Sequence, residues 1–317
     1  MNRGKDGHRS GLNTEVYHSL TGFSGDWRDT WWDDDFLSLM AEKWRLTQFR
    51  HALDVGCGVG HWGQRLMAHM HPDATLVGCD AESRWVEEAR VRAQALGLGE
   101  RSSFEAADAK TLPWDDDTFD LVTCQTLLIH VAHAPSVIEE MLRVLRPGGL
   151  FLCAEPNNFA SLAGGLSIEP KLDWTELAPL LKLDYICARG KEALGEGFQS
   201  EGAKIPAHLY ACGWRDVHVH MNNKGPTMLP PYDAPNMMGM VDMMRTAHAS
   251  GGVMSTGGTY ENVRRLFLAG GGQDDELEAL WAARRARDAN IIAAIDEGRF
   301  ISAGASIHYL VWGYKPD

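Results

Sequence analysis

The sequence lacks any apolar run close to the roughly 20 residues that a membrane-spanning helix needs. Residues 1–13 are polar and glycine-rich, unlike a secretory signal peptide. Positive charge is also scarce, because 30 lysine and arginine residues stand against 43 aspartate and glutamate residues, for a formal net charge of -13. Nucleic acids and anionic membranes are bound through basic clusters, so neither is an expected partner. Because the sequence shows neither a membrane-spanning run nor a signal-peptide pattern, the protein is predicted to be cytoplasmic.

Metal-binding and disulfide patterns are missing too. The 6 cysteines include no CxxC pair and stand beside no histidine cluster with metal-ligand spacing. They occur singly, mostly inside apolar runs, and are expected to be buried, reduced thiols. Two acidic runs, residues 33–35 and 115–117, are expected to be solvated, so no metal site is predicted.

Short apolar runs alternate with helical patterns between residues 51 and 157. The predicted strands are residues 52–55, 75–79, 121–124 and 150–154. Strand, helix, strand is the order typical of a parallel sheet built from βαβ units. Between the last two strands, Ser136 and Glu139 predict a capping box that starts a helix, and the Pro-Gly-Gly sequence at residues 147–149 predicts its end.

The remaining chain divides into segments around this predicted core. The predicted divisions are an N-terminal flap and helix (1–50), the cofactor-binding core (51–157), a helical cap insertion (158–200), a core helix and strand (201–224), a second cap insertion (225–300) and a final core strand (301–317). Within the second insertion, residues 274–295 carry a helical pattern. The last strand is expected at residues 306–312.

A glycine-rich turn follows the first predicted strand, at residues 54–60 (Asp-Val-Gly-Cys-Gly-Val-Gly). Glycines let the backbone turn tightly against a polar ligand at the start of a helix. Gly58, Gly60 and Gly63 also fit the GxGxxG dinucleotide pattern, and Asp80 follows at about the distance of a ribose-binding acid. By itself this pattern leaves two cofactors open, one of which is NAD.

Two further segments extend the pattern. Asp108 follows a presumed third strand, and residues 119–122 (Phe-Asp-Leu-Val) open a fourth. Together these segments resemble class I S-adenosylmethionine-dependent methyltransferases, most closely the ubiquinone-biosynthesis-like small-molecule subgroup, over residues 53–157 and more weakly at 203–221 and 306–316. The resemblance implies an α/β fold: a Rossmann-like, doubly wound, seven-stranded sheet with an antiparallel C-terminal strand pair and a mostly helical cap.

The resemblance also implies site residues and S-adenosyl-L-methionine as the cofactor. The glycine turn would hold the methionine end, Asp80 the ribose hydroxyls and Asp108 the adenine amino group. The predicted cofactor-binding residues are Asp54, Gly56, Cys57, Gly58, Gly60, Asp80, Ala81, Asp108, Ala109, Cys124, Gln125 and Tyr17. His130 and Glu155 are candidate catalytic residues, with hydrogen bonding to nearby backbone as the alternative role of each.

Two apolar groups have two interpretations each. One is aromatic and is predicted to supply at least one lid contact, or else the apolar face of a packed helix: Tyr17, His18, Phe23, Trp27, Trp31 and Trp32. The other could shape an adaptable acceptor pocket or simply fill a core: Met228, Met237, Met238, Met240, Met243 and Met244.

The sequence therefore predicts an enzyme that transfers a methyl group from S-adenosylmethionine to a small-molecule acceptor, with oxygen or nitrogen as the favoured acceptor atom. A homodimer is left open. The alternatives are an NAD-dependent oxidoreductase and a non-catalytic module that binds S-adenosylmethionine.

Overall fold

The computed structural model describes residues 31–166, 172–223, 227–253, 258–303 and 307–316. Within these ranges one sheet has the strand order β3-β2-β1-β4-β5-β7-β6. The strands are β1 (His51–Val55), β2 (Thr75–Asp80), β3 (Ser102–Ala106), β4 (Phe119–Gln125), β5 (Leu145–Pro156), β6 (His218–Met221) and β7 (His308–Tyr314). The first five strands run parallel, whereas β7 runs antiparallel between β5 and β6. The predicted seven-stranded sheet with its antiparallel terminal pair is confirmed.

Helices cover both faces of this sheet and continue beyond it. They are α1 (Asp34–Lys43), α2 (His61–Leu66), α3 (Ser83–Ala95), α4 (Ala134–Val144), α5 (Asn158–Leu166), α6 (Trp174–Ala193), α7 (Ile205–Ala211), α8 (Pro235–Ala249), α9 (Tyr260–Ala269) and α10 (Asp274–Asp296). None of these described helices is long and apolar enough to cross a membrane.

Alternate residues of the strands enter two separate apolar cores, as expected for a sheet buried on both faces. Leu152 of β5 packs in one core with residues of α1, α2 and α3, such as Met40 and Leu66. Its neighbour Cys153 packs in the other core with residues of α4 and α7, such as Val137. The sheet is therefore doubly wound.

The cap is helical and has its own apolar clusters. One joins α6, α9 and α10, and Phe267 is fully buried within it. The other joins α8 to the end of α10 around Phe300. Helices α6 and α9 meet backbone to backbone at Gly190, where an added Cβ would lie 1.7 Å from the Leu266 carbonyl oxygen. Such a close approach is available only to glycine.

The start of α4 differs from the prediction. The helix begins at Ala134, and its N-cap is His133, whose Nδ1 accepts a hydrogen bond from the Ser136 N–H at 3.2 Å. Ser136 therefore lies inside the helix, and the predicted capping box with Glu139 is wrong. An imidazole nitrogen supplies the acceptor that a serine hydroxyl was expected to supply.

The end of α4 also differs. The helix stops at Val144, and β5 begins at Leu145, so the Pro-Gly-Gly sequence at residues 147–149 lies inside the strand. The pairing of β4 with β5 shifts register between Phe119 and Leu121, which accommodates the extra residues as an irregularity.

Candidate functional site

The carboxyl ends of β3, β2, β1, β4 and β5 meet at one edge of the sheet, because these strands are parallel. The glycine turn leaves this edge after β1, with Gly56, Gly58 and Gly60 at φ of 65°, 52° and 83°. All three values lie in the left-handed region that only glycine adopts without cost. The Cys57 N–H donates to the Cys79 carbonyl at 2.9 Å, which fixes the turn against β2.

Asp54 lies beneath the turn and is buried. Its Oδ2 accepts a hydrogen bond from the Gly63 N–H at 3.0 Å, while its Oδ1 is buried without a hydrogen-bond partner in the described chain. Burial raises the pKa of Asp54 to about 7, and the nearby Asp80 charge adds to the effect. A buried acceptor without a donor is costly, so a bound ligand with a positively charged amino group would satisfy it.

Asp80 ends β2 directly beside the turn. Its Oδ2 accepts from the Gly58 N–H at 2.9 Å and its Oδ1 from the Glu82 N–H at 3.0 Å. Burial raises the pKa of Asp80, whereas these backbone donors lower it. Each carboxylate oxygen keeps lone pairs for further donors, such as the hydroxyls of a ribose. Ala81, also predicted in the site, follows it and is exposed.

Asp108 follows β3, one strand further along the edge. It is exposed, and its Oδ1 accepts from the Lys110 N–H at 2.9 Å, which closes a local turn. The Ala107 N–H donates to the Asp80 carbonyl at 3.0 Å, so the segment after β3 is tied to the end of β2. Ala109 is half-buried against the core. The structure thus brings the two predicted acids to adjacent strand ends.

The segment after β4 forms the other side of the turn. Gln125 is half-buried at the strand end, and Thr126 follows with φ of 56°, a left-handed value that is unusual for a β-branched residue. The side chain of Leu127 lies against Gly56, where an added Cβ would be 2.5 Å from Leu127 Cδ1. We call residues 126–130 the β4 loop.

Two predicted cysteines do not offer their thiols to this edge. The Cys57 side chain is buried in one core and the Cys124 side chain in the other, where its Sγ lies 3.3 Å from Cys153 Sγ. Burial raises the pKa of both Cys57 and Cys124, so neither is a ready thiolate. Any role in ligand binding falls to their backbone.

Glu155 lies near the end of β5 and is fully buried. Its Oε1 accepts hydrogen bonds from the Leu127 N–H at 2.7 Å and the Leu128 N–H at 3.0 Å, and its Oε2 is buried without a partner in the described chain. These contacts favour the alternative role of the residue, which is to fix the neighbouring loop. His130, the other candidate, closes a short 3-10 turn (Leu128–His130) and is half-buried.

The burial of Glu155 leads to a prediction about pH. Burial raises its pKa from the ordinary 4.5 to about 7. Between these values the unfolded chain has lost a proton that the folded protein keeps, so stability falls as pH rises. Glu155→Gln keeps an acceptor for the loop amides but cannot ionise. We expect its free energy of unfolding, relative to wild type, to increase by about 3 kcal/mol across this window.

Denaturant unfolding below and above this pH window measures the difference. The matched control is Glu105→Gln, which changes an exposed glutamate on β3 of the same sheet. A gap between Glu155→Gln and wild type that does not change with pH would contradict the expectation.

The predicted lid residues lie only partly within the described chain. Tyr17, His18, Phe23 and Trp27 are outside it. The Trp31 ring lies 5.1 Å from that of His308, and the Trp32 ring lies 5.3 Å from that of Trp62. Trp32 is buried in the core with α1, which matches the helix-face interpretation of this residue.

The methionines of the second insertion mostly line a core. Met228 is buried beside Phe300, and Met237, Met240 and Met244 pack against the same cluster. Met238 is 48% exposed and lies outside that cluster. These contacts favour core packing over an adaptable pocket.

The acidic runs have other partners. Asp34 pairs with Arg65, Asp116 with Arg143 at 2.8 Å, and Asp117 with Lys315 at 2.7 Å. Among the described residues, no group of three or more His, Cys, Asp or Glu side chains is arranged to hold a metal ion.

Thr126 and Leu127 belong to a segment, residues 123–130, that the sequence predicts to line the reaction centre, whereas Lys191 was not identified from the sequence. Lys191 of α6 is 7% exposed, and its Nζ donates to the Ile129 carbonyl at 2.9 Å. A single lysine on a helix reads as a solvated residue, so no sequence signal marks it. The left-handed backbone of Thr126 is likewise invisible in a run of apolar residues.

The similarity of this chain to known proteins lies in the segment that forms this edge of the sheet. A methyltransferase domain family model matches residues 48–191. Demethylmenaquinone methyltransferase from Symbiobacterium thermophilum is 32% identical over 148 residues, which cover 42% of this chain and 59% of that protein. Methyltransferase GfsG from Streptomyces halstedii is 42% identical over 117 residues, which cover 36% and 40% of the two chains.

One further relative and one known structure are similar to parts of this chain. The 27-O-demethylrifamycin SV methyltransferase from Amycolatopsis mediterranei is 34% identical over 129 residues, covering 38% of this chain and 47% of that protein. The chain thus spans less than two thirds of the length of each of these three relatives. A candidate methyltransferase of known structure from Bacillus halodurans aligns with 89% of this chain and 99% of its own at a TM-score of 0.50 and 16% identity, which shows a shared fold.

Proposed function

Residues 48–191 belong to the class I S-adenosylmethionine-dependent methyltransferases, and from that premise we propose that the whole chain methylates a small-molecule acceptor on oxygen or nitrogen. One observation carries the proposal. Three features lie in a row along one edge of the sheet: the glycine turn, the Asp54 Oδ1 that has no hydrogen-bond partner among the described residues, and the two acids at the ends of β2 and β3.

The residues along this edge fit S-adenosylmethionine. The turn from Gly56 to Gly60 has no side chain to obstruct a ligand at its glycines, and it would receive the methionine end. Asp80 would bind the ribose hydroxyls through its remaining lone pairs, and Asp108 would accept from the adenine amino group. These groups follow one another along the edge in the order of their strands: the turn after β1, then Asp80 at the end of β2, then Asp108 after β3.

When bound, S-adenosylmethionine supplies an electrophilic methyl group. The protein then has mainly to orient the acceptor and exclude water, so no strongly marked set of catalytic side chains is required. The β4 loop lies where donor and acceptor would meet, because Leu127 contacts Gly56 and His130 closes the same loop. His130 stays a candidate general base, which would remove a proton from the acceptor molecule.

The proposed acceptor is a small organic molecule with apolar area. Relatives named for demethylmenaquinone and 27-O-demethylrifamycin SV support this class. So does a group of aromatic rings just beyond β5, where Phe159 lies 5.5 Å from Tyr185 and 5.8 Å from Phe198. Cytoplasmic location and a homodimer stay predictions.

Calorimetric titration with S-adenosylmethionine, S-adenosylhomocysteine and NAD tests the donor. We expect the first two to bind with dissociation constants on the order of micromolar, which correspond to a binding free energy of about -8 kcal/mol. We expect NAD not to bind. Binding of NAD alone would favour the oxidoreductase that the GxGxxG spacing allows. Binding of S-adenosylmethionine without methylation of any compound in a panel of phenols, hydroxylated polyketides and amines would favour a non-catalytic module.

A further inference from the structure

The β4 loop has a conformation that its own sequence does not favour. Thr126 is held at φ of 56°, and its hydroxyl is buried without a hydrogen-bond partner in the described chain. A β-branched residue in the left-handed region costs on the order of 1–3 kcal/mol and persists only where the surroundings impose it. The contacts that impose it should therefore be identifiable.

The sheet supplies one set of these contacts. The Thr126 N–H donates to the Ala154 carbonyl of β5 at 3.0 Å. The next two backbone N–H groups, of Leu127 and Leu128, both donate to the Glu155 carboxylate. The first half of the loop is thus fixed to β5.

The cap supplies the other set. The Lys191 side chain reaches from α6 to the second half of the loop, where its Nζ donates to the Ile129 carbonyl at 2.9 Å. Lys191 is 7% exposed and forms no ion pair with a carboxylate among the described residues. Burial lowers the pKa of Lys191 to about 8, while the charges of Glu196 and Glu155 act in the opposite direction.

Within the described chain, the buried Lys191 ammonium group makes one hydrogen bond and pairs with no carboxylate, an arrangement that destabilises a fold. A packed apolar side chain of similar length would cost the fold less. The stability of the fold therefore does not explain why a lysine occupies position 191. What the lysine adds is the hydrogen bond from its Nζ to the Ile129 carbonyl.

The chain after Lys191 strengthens the same contact. Gly197 lies directly on the β4 loop, where an added Cβ would be 2.3 Å from the Ile129 carbonyl oxygen. Glu196, just before it, forms a two-point ion pair with Arg265 of α9 at 2.6 and 2.9 Å. The end of α6 and the loop thus form one packed unit with α9.

We infer that Lys191 is a positioning residue that couples the cap to the donor site, by holding the β4 loop so that Leu127 stays against Gly56. The inference rests on the proposed function, because it assigns the turn at Gly56 to the donor. A movement of α6 would change the loop, and donor binding would in turn stabilise the contact with α6, since coupling between two sites is reciprocal.

Three variants test this coupling. Lys191→Met removes the hydrogen-bond donor and keeps a long unbranched side chain, and Lys191→Gln keeps an uncharged NH2 group that can donate. The matched control is Lys182→Met, which changes a half-exposed lysine of the same helix that pairs with Glu276. Amide hydrogen exchange of peptides covering residues 126–132 is measured without ligand, and calorimetry gives the dissociation constant for S-adenosylhomocysteine.

For Lys191→Met we expect exchange in residues 126–132 to accelerate and S-adenosylhomocysteine to bind about tenfold more weakly, within the usual range of coupling between sites. The Tm should change little, because removing the buried charge offsets the lost hydrogen bond. Lys191→Gln should recover part of both effects, and Lys182→Met should behave like wild type.

Three results would overturn the inference. The first is that amide exchange in residues 126–132 is unchanged in Lys191→Met. The second is that exchange accelerates equally in the loop, β1 and β4 because the variant unfolds. The third is that Lys191→Met and Lys191→Gln show the same loop exchange and the same dissociation constant. If wild type does not bind S-adenosylhomocysteine, the proposed function fails, whereas the ligand-free exchange still reports whether Lys191 holds the loop.

Discussion

Replacing Asp80 with alanine is expected to weaken binding of S-adenosylmethionine and S-adenosylhomocysteine by about 100-fold or more. The carboxylate fixes the glycine turn through the Gly58 N–H at 2.9 Å and is the proposed acceptor for both ribose hydroxyls. Hydrogen bonds to a charged group contribute about 1.5–3 kcal/mol each, and every 1.4 kcal/mol is about tenfold in affinity. Calorimetric titration of both ligands measures the loss.

Two variants make the Asp80 result specific. Asp80→Asn keeps one carbonyl acceptor and should lose about tenfold in affinity. Asp73→Asn removes an exposed carboxylate just before the amino end of the same strand and should bind both ligands like wild type. Wild-type affinity in Asp80→Ala would refute the assignment of this acid to the donor.

Replacing Gly190 with alanine is expected to destabilise the protein by about 3 kcal/mol or more. The added methyl group would lie 1.7 Å from the Leu266 carbonyl oxygen and 2.9 Å from the Gly270 nitrogen. Both are backbone atoms of the α9 segment, so no side chain can rotate away, and the two helices would have to separate. Denaturant unfolding measures the change.

The reciprocal substitution checks the cause. Gly270→Ala would place a Cβ 2.0 Å from the Ile186 carbonyl oxygen of α6 and should cost a similar amount. Arg189→Ala changes the exposed neighbour of Gly190 and should cost little. A Gly190→Ala protein as stable as wild type would mean that α6 and α9 pack less closely than the backbone contact indicates.

The parts of the fold that depend on local pattern could be predicted from the sequence. The run at residues 75–79 became β2 (Thr75–Asp80), and the helical pattern at 274–295 became α10 (Asp274–Asp296). The row of Asp54, Asp80 and Asp108 was also predictable, because each acid lies at or just after the end of a strand of the parallel sheet.

Features that depend on packing between distant segments could not be predicted. Serine is the more usual helix cap than histidine, so the sequence favoured Ser136 over His133. Lys191 is buried only because α6 packs against both α9 and the β4 loop, and no local pattern reports that. Glu155 was predicted near the site, but its bond to the Leu127 amide depends on the conformation of a loop on another strand.

The position of β7 between β5 and β6 determines when the sheet can be completed during synthesis. Strand β6 has β7 as its sheet neighbour, and β7 lies against the outer edge of β5. In a nascent chain that has been translated only to the end of α10, β7 is not yet present. One edge of β5 is then unpaired, and β6 lacks the strand with which it pairs in the sheet. Because Glu155 is paired with Tyr309 across that edge, the edge of β5 beside Glu155 is covered only after β7 has left the ribosome. Folding must wait for contacts between residues far apart in sequence, which slows it.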